Sequence, residues 1–209
     1  MNLRLVKLIT LIALLLPATA AAQATASLGG IIQYAEELPE GTRVAVFQVD
    51  ADGVWGRELA TVTPIAGTFN LTLDVTDLDN LRPFRSGAIL LPGLQNEYRV
   101  EPEGVQFALG RMNMYVDRND SGAFDRQEDP VFLGLLSLEL PVGFYNILYV
   151  DRDATIVSSD ATVQLQAGWN IFTVRFPGND APPAYEAVSS VSDAVLDVFL
   201  ADPEPEATE

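Results

Sequence analysis

The feature that most constrains this chain is strict apolar alternation broken by turn residues at short intervals. Between Thr42 and Val49, Val44, Val46 and Gln48 point one way, and Ala45, Phe47 and Val49 the other. Between Thr68 and Val75, Phe69, Leu71, Leu73 and Val75 share one side. A period of two places successive side chains on opposite faces of a pleated strand. Asp50-Ala-Asp52-Gly53 and Pro64 to Gly67 read as turns, where Asp, Pro and Gly suit the reversed backbone. Val54–Thr63 between them completes an antiparallel meander.

The same reading predicts strands over Leu28–Tyr34, Val105–Val116, Val131–Leu140, Phe144–Val150, Ala161–Gln166 and Trp169–Phe176, with Ala167-Gly168 as a tight turn. In Val105–Val116 the apolar phase moves from Val105, Phe107 and Leu109 to Met112, Met114 and Val116, which predicts a β-bulge at Gly110. Residues 77–93, rich in Pro and Gly, read as a long loop with one short strand at Ala88–Leu91. The expected fold is all-β, an antiparallel β-sandwich of about ten strands. Past Pro182 and Pro183 the pattern changes. Val188, Val191, Val195 and Val198 recur at helical spacing, so an amphipathic helix is expected over 184–201. The acidic, Pro-rich residues 202–209 read as a disordered tail.

The N-terminus carries a different signal. Arg4 and Lys7 precede an aliphatic run, Leu8 to Leu16, then Pro17 and the small-residue stretch Ala18 to Ala24. This order marks a secretory signal peptide over residues 1–24, cut after Ala22 or Ala24. The run is too short for a membrane anchor, which needs about 20 apolar residues. The body expected outside the cytoplasm, secreted or periplasmic, then comprises a β-domain over 25–178 and the helix and tail over 179–209.

Charge and absences narrow the chemistry. The chain has 12 Lys plus Arg against 29 Asp plus Glu, and Arg4 and Lys7 leave with the leader. A polyanion is repelled by nucleic acid and by anionic membranes. There is no Cys and no His, and the one lysine is Lys7. Disulfides, thiol nucleophiles, Ser-His-Asp chemistry and ordinary zinc sites are therefore excluded.

One segment carries a metal signature. Asp117, Asn119, Ser121, the Ala123 carbonyl, Asp125 and Glu128 occupy positions 1, 3, 5, 7, 9 and 12 of a twelve-residue calcium loop, with Gly122 at position 6. Phe124 fills the apolar position 8. Alternate residues of a tightly wound loop face inward, and Ca²⁺ takes six to eight hard oxygens. The segment Tyr115 to Pro130 resembles the calcium loops of secreted bacterial β-domains, such as surface-adhesin repeats, and of dockerins. Residues 42–73 resemble the start of a transthyretin-like sandwich. The export signal, the calcium loop and the missing catalytic side chains together point to a non-enzymatic domain with a structural Ca²⁺ and a role in envelope structure or adhesion; the sequence names no partner, an envelope glycan or protein being the candidate class. The sequence departs from the pattern at Ser121, and a strand and Pro130 stand where a true EF-hand has its helices. The first removes one charge, and the missing helices point to a clamp rather than a sensor.

Weaker candidates are Asp151, Asp153 and Asp160 as a second cation site, and Asp50 and Asp52 as a third. A polar connection explains each as well. Asn70-Leu-Thr72 matches a glycosylation sequon but falls inside a strand. Trp55 and Trp169 would serve a carbohydrate-binding module if exposed. A carboxylate-pair glycosidase is the remaining, disfavoured, alternative. No catalytic residue is assigned.

Overall fold

The computed structural model describes residues 24–50, 54–85, 97–138, 143–159, 161–178 and 181–199. The leader, the short strand expected at 88–91 and the acidic tail lie outside them, as do Asp52 and Asp160. Among the described residues there are fourteen strands and no α-helix.

The strands are β1 (Ala26–Ile32), β2 (Thr42–Val49), β3 (Trp55–Val62), β4 (Thr68–Leu73), β5 (Arg82–Pro83), β6 (Arg99–Glu101), β7 (Gln106–Val116), β8 (Val131–Leu138), β9 (Gly143–Val150), β10 (Ala154–Val157), β11 (Thr162–Leu165), β12 (Gly168–Arg175), β13 (Ala184–Val188) and β14 (Ser190–Phe199). An eleven-stranded sheet runs β13-β12-β9-β7-β8-β14-β1-β4, with β2 and β5 on β7 and β3 on β2. A three-stranded sheet, β11-β10-β6, packs on one face of it. The fold is all-β, as the alternation predicts.

Two apolar layers result. The large sheet curls so that β1, β2, β4, β7, β9, β12 and β14 bury Leu28, Val46, Leu71, Met114, Ile147, Trp169 and Leu196 together. The opposite faces of β7, β9 and β12 meet the small sheet through Phe107, Leu148, Val150, Phe172 and Val174, against Val100, Ile156 and Leu165. Strands covered on both faces have no polar side to show, so Gly168–Val174 is buried at every residue. Each large apolar side chain so covered contributes about 1.5–3 kcal/mol.

The double coverage corrects the bulge expected at Gly110. Pairing of β7 with β2 runs unbroken from Thr42↔Val116 to Val49↔Leu109. The apolar phase changes because Phe107 and Leu109 face the small sheet while Met112 and Met114 face the curled interior. Gly110 is there for space, since a Cβ would come within 2.7 Å of the Ile147 side chain and 3.0 Å of Val46. The register shifts instead lie between β2 and β3, at Val46/Phe47 and Phe47/Val49.

The helix expected over 184–201 is replaced by β13 and β14. β14 inserts between β8, antiparallel, and β1, parallel. Its register against β1 jumps from Leu28↔Val191 to Gly30↔Ala194. That irregularity converts a period of two into steps of three and two, so Val191, Ala194 and Leu196 all enter the same core. Val195 is buried but outside that core, so the helical spacing of Val188, Val191 and Val195 mixes two faces of a strand. The β-branched valines favour the extended form.

Two connections also differ from the expected ones. β4 follows β3 through the Ile65–Thr68 turn, yet hydrogen-bonds to β1 along Ala26↔Leu73 to Ile31↔Thr68. Ala167-Gly168 is a corner between sheets rather than a hairpin, because β11 pairs with β10 and β12 with β9.

Candidate metal centre

The calcium-type segment is the connection between β7 and β8. These strands pair at Met114↔Phe132 and Tyr115↔Val131, so both ends of the loop are held side by side. Val116 N donates to Pro130 O at 3.1 Å, closing the neck. Asp117 N donates to Gly41 O at 3.0 Å, which ties the loop to the turn before β2.

Inside the loop, Asp117 is the winding post. Its Oδ1 accepts Ser121 N at 3.0 Å, and its Oδ2 accepts Gly122 N at 2.9 Å. Arg43 Nε donates to the same Oδ2 at 2.8 Å. Burial alone would raise the Asp117 pKa. The N–H groups of Gly122 and Ser121 and the Arg43 guanidinium outweigh it and hold the carboxyl below its ordinary 3.8. Gly122 has φ +81°, a left-handed conformation that glycine adopts without strain.

The other candidate oxygens come together in pairs. Asn119 Nδ2 donates to Glu128 Oε2 at 2.7 Å, bringing the third and twelfth positions together. Ser121 Oγ donates to the Ala123 carbonyl at 2.8 Å, joining the fifth and seventh. Asp125 Oδ1 accepts Gln127 N at 2.8 Å. Asp117 is buried, whereas Asn119, Ser121, Ala123, Asp125 and Glu128 are exposed. The donor set is all oxygen, which suits a hard cation in kind. The carboxylates do not converge: among the described residues no three Asp or Glu side chains lie together in a metal-holding group.

Four residues that spacing does not reveal complete the loop. Asp129, 5% exposed, accepts Arg118 N at 3.1 Å and Asp125 N at 2.8 Å, so it spans the two limbs. Glu58, on β3, accepts the Tyr115 hydroxyl at 3.0 Å and Phe124 N at 3.3 Å. Desolvation raises the Glu58 pKa above its ordinary 4.5 against the lowering pull of those two bonds. Arg43 supplies the counter-charge. Arg43, Glu58 and Tyr115 sit on strands rather than in the loop, the first two far away in sequence, and Asp129 falls beyond the twelve-residue frame. No local pattern could announce them.

Phe124 anchors the loop apolarly, as its position in the motif requires. Its ring packs edge-on to Phe47 at 5.1 Å and to Tyr115 at 5.2 Å. Trp55 stacks on Phe47 at 5.8 Å, and the Arg111 guanidinium lies 5.5 Å from the Trp55 ring centre. Arg126 Nη2 donates to Trp55 O. An open cavity of about 350 Å³ beside the loop is lined by Val54, Trp55, Phe124, Arg126, Asp129 and Val131.

The weaker candidates find structural roles. Asp151 Oδ1 accepts Gln106 N at 2.8 Å, and its Oδ2 pairs with Arg152. Asp153 Oδ1 accepts Ala167 N at 2.8 Å. Asp50 Oδ1 accepts Val54 N at 2.8 Å, which closes its turn. Each caps a connection. Trp169 is 1% exposed and donates Nε1–H to Val75 O, so it is core and cannot stack on a sugar. Asn70 lies in β4 as expected, but on the exposed face. No helix among the described residues is long and apolar enough to cross a membrane.

No family model, no curated protein and no solved structure matches this chain.

Proposed function

We propose that this is an exported, non-enzymatic β-domain whose β7–β8 connection takes up one structural Ca²⁺, serving envelope structure or adhesion. The observation that carries the reading is the closed loop. Asp117 holds its mouth, and the Asn119–Glu128 bond at 2.7 Å brings its third and twelfth positions together. Asp117, Asn119, Ser121, the Ala123 carbonyl, Asp125 and Glu128 would hold the ion. The cation would supply charge neutralisation to three carboxylates in a chain with 29 acids. The leader-like N-terminus supports export, and the absence of Cys and His supports a non-catalytic role.

The test is thermal unfolding in EGTA, in about 5 mM Ca²⁺ and in equal Mg²⁺. Extracellular modules bind with Kd of about 10⁻⁴–10⁻³ M. Binding to the native state alone then adds about 1–2.3 kcal/mol. The midpoint rises by about 2–9 °C. A midpoint that does not move with Ca²⁺ refutes the clamp.

A second reading, carbohydrate binding, rests on the cavity beside Trp55. Glycan-array binding that Trp55→Ala abolishes would favour it.

A further inference from the structure

Ala24 is bonded into the fold through both sides of its backbone. Its N–H donates to Ala167 O at 2.6 Å, and its carbonyl accepts Trp169 N–H at 2.9 Å, forming a parallel bridge to Gly168. Gly168 has φ +105°, and a Cβ there would come within 2.4 Å of Ala24 O and 2.5 Å of Ala24 N. The corner between the two sheets is therefore also a notch that receives residue 24. Two residues later Ala26, 1% exposed, begins the pairing with Leu73 of β4. Ser27 N then donates to Ser189 O at 2.9 Å, just ahead of β14. The chain is thus a working part of the sheet from residue 24 onward.

Ala-x-Ala patterns end at Ala20, Ala22, Ala24 and Ala26, of which those ending at Ala22 and Ala24 are the expected cleavage sites. Cutting after Ala24 removes both bonds. It leaves the backbone N–H of a buried tryptophan without its acceptor, which is among the costlier defects a fold can carry. Cutting after Ala22 keeps the bridge and places the new ammonium one residue outside it. We infer that the leader is removed after Ala22, so that the working chain begins at Gln23 and docks Ala24 into the Gly168 notch. The inference rests on the export reading and adds to it the processing site and the reason for it.

The full chain with its own leader is expressed in a Gram-negative host, and the product is sequenced at its N-terminus by mass spectrometry. The expected first residue is Gln23. A first residue of Ala21, Thr25 or Ser27 overturns the inferred site while export stands. A chain that keeps Met1 overturns both. A second measurement compares chains produced to begin at Gln23 and at Thr25. The shorter one is expected to melt several degrees lower. Gly168→Ala is expected to cost more in the longer chain, where the added methyl meets Ala24, than in the shorter one. Equal midpoints, or an equal cost of Gly168→Ala in both, overturn the docking.

Discussion

Asp129→Ala tests how the β7–β8 loop is held together. Asp129 lies outside the twelve-residue calcium frame, yet its carboxylate joins the two limbs by accepting Arg118 N at 3.1 Å and Asp125 N at 2.8 Å. The substitution strands two N–H donors. A hydrogen bond to a charged acceptor contributes about 1.5–3 kcal/mol, and partial exposure at the limb ends lowers this to about 1–1.5 each. The expected loss is about 2–3 kcal/mol. For a domain of this size that is a fall of about 4–12 °C in the melting midpoint. The assay is urea unfolding followed by tryptophan fluorescence, with and without Ca²⁺. The slope against urea is expected to stay constant, since the same surface is exposed on unfolding. Asp129→Asn, which keeps one acceptor oxygen, is expected to lose about half as much. If Asp129→Ala costs less than about 0.5 kcal/mol, water has replaced both bonds, and the limbs are held by Phe124 and Asp117 alone.

Other outcomes follow from the same geometry. Gly30→Ala would drive a Cβ to 1.9 Å from Ala194 O in the neighbouring strand, so a loss of about 3 kcal/mol or more is expected in the same unfolding assay. Arg43→Gln removes a positive charge 2.8 Å from Asp117. It is expected to tighten Ca²⁺ binding in calorimetry while lowering the midpoint in EGTA. Stability against pH should show two opposed trends. Asp117 has a lowered pKa, so its contribution is complete above 3.8 and is lost as pH falls through the lower folded value. Glu58 has a raised pKa, so its contribution is complete below 4.5 and is lost as pH rises through the higher folded value. Glu58→Gln should flatten the second trend and leave the first; midpoints measured from pH 3 to 8 check both.

Much of the candidate site was legible because a calcium-type loop is a local object. Asp117, Gly122 and Phe124 act through neighbours four or five residues away or through one apolar anchor, and spacing records such relations. Arg43, Glu58 and Tyr115 reach the loop only because β2, β3 and β7 lie side by side in one sheet. Spacing holds no trace of that. Asp129 is a nearer miss: it follows Glu128 directly, but its role depends on the two limbs meeting.

The sequence by itself determined that this chain is β. Alternation sets which side chains share a face, and that property belongs to each strand alone. It also determined the turn at Asp50 and the winding of residues 117–122, where backbone conformation and short-range hydrogen bonds suffice. Only the tertiary structure decided what each face meets. Gly110 looked like a bulge because β7 is covered on both sides by different layers. Residues 184–201 looked helical because buried valines fall on both faces of the C-terminal strands, which are paired with distant neighbours. Gly168 looked like an ordinary turn glycine until Ala24 was seen to occupy the space its missing Cβ leaves. In each case the deciding partner lies more than 35 residues away in sequence, and a one-dimensional period cannot encode the neighbour that completes it.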